Sequence, residues 1–183
     1  MKKIISTIVL ATFGWKIDYN EEFQIKKGVA LAAPHTSNWD LLFTLAVFWK
    51  IGINIKFLIK DSYTKSIFGF IFKAFGAVGV DRKNGKNMVE FAAEILKTED
   101  YVFVVPAEGT RKRVEKWKTG FYHIAKKAEV PILLGFLDYK TKTGGFRKMV
   151  QPSDSFENDM DIIQEYYLAF TAKYPENYNP SIY

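Results

Sequence analysis

The sequence predicts a single α/β domain, built on a mostly parallel central sheet with helices on both faces. Three observations lead to this prediction. The 183 residues are a usual length for one domain with a substantial core. Segments typical of buried strands alternate with segments of helical periodicity, and this alternation indicates parallel strands joined by right-handed crossovers. No repeat, linker or low-complexity segment interrupts the pattern, so we expect residues 1–183 to form one domain.

The individual elements follow from the spacing of apolar residues. We predict strands at residues 27–34, 54–60, 77–80, 101–106 and 130–139. A turn at Gly144 and Gly145 should lead into an edge strand at 146–151. We predict helices at residues 38–50, 63–75, 84–98 and 117–128. An acidic C-terminal segment, 152–183, should contain a last helix at 159–173, whose acidic start suits the helix dipole.

Composition restricts the classes of protein. The content of 48% hydrophobic and 25% charged residues is ordinary for a globular protein. Cysteine is absent, which excludes disulfides, a thiolate-bound metal and a cysteine nucleophile. Residues 1–150 carry 25 basic and 14 acidic side chains, a net charge of +11, whereas residues 151–183 have a net charge of −5. The basic part favours an anionic partner: nucleic acid, an anionic membrane or a phosphorylated substrate.

Two segments predict contact with a membrane surface or burial in the core, and the sequence leaves both alternatives open. In residues 1–26, Lys2 and Lys3 precede an apolar stretch that is shorter than the roughly 20 residues needed to span a bilayer. No small-residue cleavage site follows it, so an interfacial N-terminal helix is one interpretation. In the predicted helix 63–75, phenylalanines surround the axis between Lys65 and Lys73.

The predicted topology brings chemically active residues to one edge of the sheet. Ligands of open α/β sheets bind beyond the carboxyl ends of the strands. At those ends the sequence places His35, Lys60, Asp81 with Arg82, and the segment 108–111. We therefore expect a site there for a phosphorylated substrate and for acid–base chemistry.

His35 and Asp40 form the first constellation. In the structural interpretation, Ser37 and Asp40 form a capping box at the start of a helix, and His35 is only a loop residue. In the functional interpretation, the Asp40 carboxylate accepts one imidazole N–H of His35 and leaves the other nitrogen as a general base. The pair taken alone does not separate the two.

The second constellation is the run Glu108-Gly109-Thr110-Arg111 after a very apolar strand. Glycine allows close backbone approach, threonine supplies a hydroxyl, and arginine offers a planar fork for phosphate. The chain contains no Gly-x-Ser-x-Gly pattern, so no nucleophile for a covalent acyl-enzyme is evident. The base would then deprotonate the substrate itself.

These motifs together resemble the glycerolipid acyltransferases, whose type activity is 1-acylglycerol-3-phosphate acyl transfer. Four blocks match in order over residues 30–137: His35-x4-Asp40, Gly79-Val80-Asp81-Arg82, Glu108-Gly109-Thr110-Arg111 and Val130-Pro131-Ile132. The sequence departs from the family pattern where Ala107 separates Pro106 from Glu108, and where Lys112 follows Arg111. These departures bear on the identity of the acceptor, which can be a lysolipid other than lysophosphatidate.

The resemblance implies roles for each block. His35 and Asp40 would be the catalytic pair. The residues expected to bind the acceptor's glycerol phosphate are Arg82, Glu108, Gly109, Thr110 and Arg111, with Lys60 and Lys118 added from their positions. Val130, Pro131 and Ile132 would shape the acyl pocket.

The resemblance also implies the partners of the reaction. Acyl-CoA or acyl-carrier protein would donate the acyl group to a lysophospholipid, with no cofactor and no metal. The protein would be peripheral on the inner face of the cytoplasmic membrane, at an anionic surface, and would not bind nucleic acid. Two alternatives remain: a basic, aromatic-rich nucleic-acid-binding domain, and an inactive scaffold of the same fold.

Overall fold

The computed structural model describes residues 1–23, 25–80 and 88–181. Its centre is a seven-stranded sheet in the order β1-β7-β6-β2-β5-β3-β4. Neighbouring strands are parallel except β6 and β7, which are antiparallel. The strands are β1 (Lys16–Tyr19), β2 (Gly28–Ala32), β3 (Ile55–Lys60), β4 (Ala77–Val80), β5 (Val102–Pro106), β6 (Ile132–Asp138) and β7 (Thr143–Val150).

Helices cover both faces of this sheet. The helices are α1 (Lys2–Phe13), α2 (Trp39–Ile51), α3 (Asp61–Thr64), α4 (Gly69–Ala74), α5 (Met88–Thr98), α6 (Gly120–Ala128) and α7 (Phe156–Tyr167), followed by a 3-10 turn at Pro175–Asn177. Side chains alternate along the central strands. Val29 and Leu31 of β2 therefore pack with α5, α6 and α7, whereas Ala30 packs with α2 and α4 on the opposite face. Leu10 joins α1 to α2. The predicted fold class is confirmed.

Strand β1 was not predicted, and it changes the edge of the sheet. It pairs in parallel with β7, so β7 is an inner strand and the predicted edge position for residues 146–151 is wrong. Gly144 and Gly145 lie within β7 and form no turn. A Cβ on Gly145 would lie 1.8 Å from the carbonyl oxygen of Asp18, so glycine here permits the close approach of β1.

The predicted helix at residues 63–75 is two short helices. The helix is interrupted between α3 and α4, where Gly69 packs directly on the backbone of Thr64. A Cβ on Gly69 would lie 2.1 Å from the carbonyl oxygen of Thr64. No such turn is visible in the apolar pattern, which continues through the break. In the part of the chain that the structure describes, no helix is both long enough and apolar enough to cross a bilayer.

Two other helices differ from the prediction at their ends. Helix α6 begins at Gly120 instead of residue 117, because Trp117 is buried in the preceding loop and its Nε1 donates to the carbonyl of Asn179 at 2.9 Å. Helix α7 begins at Phe156, three residues early, where the Ser155 hydroxyl accepts a capping hydrogen bond from the backbone of Asn158. It ends at Tyr167, and an irregular C-terminal segment follows, residues 168–181.

Candidate active site

His35 and Asp40 lie together in the loop from β2 into α2. The His35 Nδ1 atom is 3.2 Å from Asp40 Oδ2. The same oxygen accepts the backbone N–H groups of Thr36 and Ser37, each at 2.8 Å. Asp40 therefore caps the helix start and contacts the imidazole at once, so capping does not exclude a role beside His35. The predicted capping box is only half formed, because the Ser37 hydroxyl accepts from the backbone of Trp39 instead of Asp40.

Tyr139 completes the surroundings of the Asp40 carboxylate. Its hydroxyl donates to Asp40 Oδ1 at 2.6 Å, while Oδ2 faces His35. Burial, and then this hydrogen bond, raise the pKa of Tyr139 well above its usual range. Tyr139 directly follows β6 and stands 99 residues from Asp40 in the chain. No local pattern in the sequence connects the two, so the contact was not predicted.

Glu108 is hydrogen-bonded to the loop that carries His35. It follows β5, is 1% exposed, and accepts the backbone N–H of His35 on Oε1 at 2.9 Å. Its Oε2 atom is buried and has no hydrogen-bond partner among the described residues. Burial raises the pKa of Glu108 to about 7. The Glu108 side chain is not among those that line the cavity described below, and its role in binding the acceptor stays a prediction.

A cavity of about 650 Å³ lies beside the histidine. Its polar wall includes His35, Asp40, Arg111 and Lys118. Its apolar wall comes from the strands and the facing helices and includes Leu31, Val47, Phe48, Phe57, Ile124, Phe136 and Leu137. One cavity thus joins the imidazole, two cations and an apolar surface.

The other predicted binding residues divide into three groups. Gly109 adopts a φ of 66°, and a Cβ there would lie 2.9 Å from the side chain of Lys118, so glycine leaves room for this cation at the cavity wall. Lys60 and Thr110 are exposed and do not line the cavity. Arg82, with Asp81, lies outside the described residues.

The residues expected to shape the acyl pocket lie at the end of the sheet away from His35. Ile132 pairs with Val29 at the start of β2, so Val130, Pro131 and Ile132 lie at the amino end of the strands, opposite His35. They do not line the cavity. Strand β6 contributes Gly135 and Leu137 instead, since its carboxyl end is the one that meets the site. The block is in its expected order along the chain, and its role in the acyl pocket stays a prediction.

Among the described residues, no group of three or more histidine and acidic side chains is placed to hold a metal ion. The protein is thus an α/β domain in which a histidine–carboxylate pair lies at the strand ends, next to two cations and an apolar wall.

Comparison with known proteins identifies the family of this chain. A family model described as Acyltransferase matches residues 16–133, and the chain belongs to that family. The predicted resemblance to glycerolipid acyltransferases is confirmed.

Named relatives agree with the family. The probable 1-acyl-sn-glycerol-3-phosphate acyltransferase of Mycoplasma pneumoniae is 32% identical over 122 residues, which are 62% of this chain and 46% of the relative. The 1-acyl-sn-glycerol-3-phosphate acyltransferase of Streptococcus pneumoniae is 31% identical over 104 residues, 56% of this chain and 39% of the relative. The matches thus span less than half the length of these relatives.

A solved structure supports the fold. The crystal structure of the 1-acyl-sn-glycerophosphate acyltransferase PlsC from Thermotoga maritima matches with a TM-score of 0.66. The match covers 93% of this chain and 80% of that one at 17% identity, so it shows a common fold.

Proposed function

We propose that this protein is an O-acyltransferase that moves a fatty acyl group from acyl-CoA or acyl-carrier protein to the hydroxyl of a lysophospholipid. The proposed acceptor is 1-acylglycerol 3-phosphate, which gives phosphatidate. The observation that carries the proposal is the contact between His35 and Asp40 on a cavity that also holds Arg111 and Lys118. The two relatives named above carry the same activity in their names.

The geometry supports general-base catalysis by His35. With Nδ1 facing the Asp40 carboxylate, the imidazole carries its proton on Nδ1 and offers Nε2 to the acceptor hydroxyl. The hydroxyl oxygen attacks the thioester carbonyl as its proton passes to Nε2. Asp40 stabilises the imidazolium. The C–S bond then breaks, the proton passes from Nε2 to the departing sulfur, and an ester and a free thiol result. Such a base contributes about 100- to 10,000-fold in rate.

The two walls of the cavity suit the two ends of the substrates. The guanidinium of Arg111 and the ammonium of Lys118 provide donors and positive charge for a phosphate. The apolar wall that includes Val47, Phe48 and Phe57 suits a fatty acyl chain. Arg82 remains a proposed second phosphate contact. The reaction as written uses neither cofactor nor metal.

We also propose that the transfer takes place at an anionic membrane surface, on the inner face of the cytoplasmic membrane. Helices α1 and α4 pack on the same face of the sheet as α2, and they expose large apolar side chains. We define the apolar face by Ile4, Ile8, Ile67, Phe68 and Phe70, which are 61% to 84% exposed. Lys2 and Lys3 belong to α1, Lys73 belongs to α4, and Lys65 lies in the link between α3 and α4 that also holds Ile67 and Phe68. Apolar insertion with surrounding lysines favours anionic lipid headgroups.

An acyl-transfer assay tests the proposed reaction. Acyl-CoA and acyl-carrier protein are each supplied with lysophosphatidate and with a panel of other lysolipids. We expect His35→Ala to reduce turnover by at least about 100-fold, because the base is lost, and to leave lysolipid binding intact. Full activity of His35→Ala contradicts the mechanism. Salt-dependent binding of oligonucleotides without any acyl transfer favours the nucleic-acid alternative.

Arg111→Ala tests the phosphate contact. We expect a higher KM for the acceptor with a smaller change in kcat, because Arg111 binds a part of the substrate that does not react. Lys112→Ala is the matched control, since Lys112 is an exposed neighbour that does not line the cavity. An equal effect of the two substitutions contradicts a specific role for Arg111.

A further inference from the structure

We propose that Tyr139 is a positioning residue, which holds the Asp40 carboxylate in the orientation that His35 requires. The inference rests on the proposed function of His35 as the base. The sequence assigns no role to Tyr139, and the family blocks do not include it.

The Asp40 carboxylate is held at both oxygens. On one side, Oδ2 accepts the amides of Thr36 and Ser37 and faces His35 Nδ1. On the other side, Oδ1 accepts the Tyr139 hydroxyl at 2.6 Å. Asp40 is 4% exposed, so little water is available to replace a missing donor. Loss of the hydroxyl would leave Oδ1 without the hydrogen bond that stops the carboxylate from rotating about its Cβ–Cγ bond.

Tyr139 is itself fixed by three parts of the chain. Its ring packs edge-on against Trp15 at 5.0 Å and against Phe43 of α2 at 6.1 Å between ring centroids. Its backbone N–H donates to the carbonyl of Thr171 at 2.9 Å. Edge-to-face contacts and this hydrogen bond restrict the ring, so its hydroxyl is directed at Asp40 before any substrate binds.

The orientation of Asp40 determines which tautomer of the neutral His35 imidazole is favoured. Oδ2 faces Nδ1, so the carboxylate favours the form that carries its proton on Nδ1 and leaves Nε2 free. A carboxylate that can rotate no longer selects this form. The tautomer of His35 therefore reports whether the Tyr139 hydroxyl holds Asp40 in place.

Tyr139→Phe tests this role, because it removes only the hydroxyl. We expect kcat to fall by about 10- to 100-fold, in the range caused by misplacement of a catalytic group, with little change in the acceptor KM. We also expect the neutral His35 imidazole to become a mixture of its two tautomers instead of mainly the Nδ1–H form. The control is Tyr122→Phe, which removes a similar hydrogen bond, from Tyr122 to Asp159 at 2.8 Å, on the opposite face of the sheet. It should leave kcat and the His35 tautomer unchanged.

NMR of the imidazole ring nitrogens provides a readout that does not depend on turnover, because the two neutral tautomers differ in which nitrogen carries the proton. The chain has two histidines, so the His35 imidazole is followed with His123 as an internal reference. A change of His35 from the Nδ1–H form to a mixture of tautomers in Tyr139→Phe, with His123 unchanged, supports the proposal even if the wild type transfers no acyl group, an outcome that would reject only the proposed function. An unchanged His35 tautomer, or an equal change in Tyr122→Phe, overturns the positioning role.

Discussion

The two carboxylates beside His35 have opposite surroundings. Asp40 accepts two backbone amides and the Tyr139 hydroxyl and also contacts the imidazole, so its charge is well provided with donors. Glu108 accepts one backbone N–H on Oε1, and its buried Oε2 has no partner among the residues that the structure describes. An ionised carboxylate with an unpaired buried oxygen is destabilised. The loop of His35 therefore rests on a group whose neutral form is favoured by burial.

Glu108 should make the stability of the protein depend on pH. Burial raises its pKa from 4.5 to about 7, so between these pH values the folded protein holds a proton that the unfolded chain has lost. Stability then decreases as pH rises through this range. Glu108→Gln cannot ionise at this position. We expect the difference in free energy of unfolding between this variant and wild type to change in favour of the variant by about 3 kcal/mol from pH 4 to pH 8. Urea unfolding at the two pH values measures this difference.

The control for this experiment is Glu94→Gln. Glu94 is exposed on α5, so the substitution removes one negative charge without changing a buried group. A difference between Glu108→Gln and wild type that stays constant with pH would contradict the raised pKa of Glu108.

At the scale of single elements, the segment that contains α3 and α4 exposes some of its phenylalanine side chains and packs others against the core. Phe68 is 61% exposed and Phe70 is 70% exposed, whereas Phe72 packs against the core. The sequence pattern left burial and membrane contact as equal alternatives. The structure separates the phenylalanines of this segment into an inner and an outer set, and only the outer set is available to lipid.

The double substitution Phe68→Ser with Phe70→Ser tests the apolar face. We expect its affinity for vesicles of anionic phospholipid to fall by at least about 10-fold, since one exposed aromatic side chain transferred from water is worth about 1.5 to 3 kcal/mol. Co-sedimentation with vesicles measures the affinity, and raised salt should weaken it further through the lysines.

Leu168→Ser is the control for this face. Leu168 is 63% exposed and follows α7, a helix on the opposite side of the sheet. Its loss should not change vesicle binding. Equal binding of the Phe68, Phe70 double variant and wild type would contradict the proposed docking face.

At the scale of the whole molecule, the C-terminal segment 168–181 connects the two halves of the site. The backbone N–H of Tyr174 donates to the Thr36 hydroxyl at 3.2 Å, next to His35. The Asn179 side chain donates to the carbonyls of Val114 and Glu115 at 3.0 and 2.8 Å. These carbonyls belong to the loop that carries Arg111 and Lys118, so one segment contacts both the imidazole loop and the cationic loop.

Asn179→Ala should loosen the cationic loop and leave the catalytic pair in place. We expect a several-fold higher KM for the acceptor, little change in kcat, and a loss of about 1 to 2 kcal/mol of stability for the lost hydrogen bonds. Steady-state kinetics and urea unfolding measure these effects. Asn177→Ala is the control, because the structure describes no hydrogen bond of the Asn177 side chain. A fall in kcat as large as the rise in KM would contradict a role limited to this loop.

The sequence by itself determined the features that depend on neighbouring residues. Alternating apolar periods predicted most strands and helices, and the carboxyl ends of parallel strands predicted that His35 and the segment 108–111 would meet. The His35–Asp40 spacing was enough to bring imidazole and carboxylate together, because both lie in one loop and one helical turn.

The tertiary structure alone decided what depends on contacts between distant parts of the chain. Tyr139 reaches Asp40 across 99 residues and Asn179 reaches Val114 across 65, so no local period records either contact. The direction of β6 also decided which of its residues line the cavity. Its carboxyl end, with Gly135 and Leu137, lies at the site, and Val130–Ile132 lie at the other end. Periodicity is a property of adjacent residues, whereas the orientation of a side chain in the site is set by packing across the sheet.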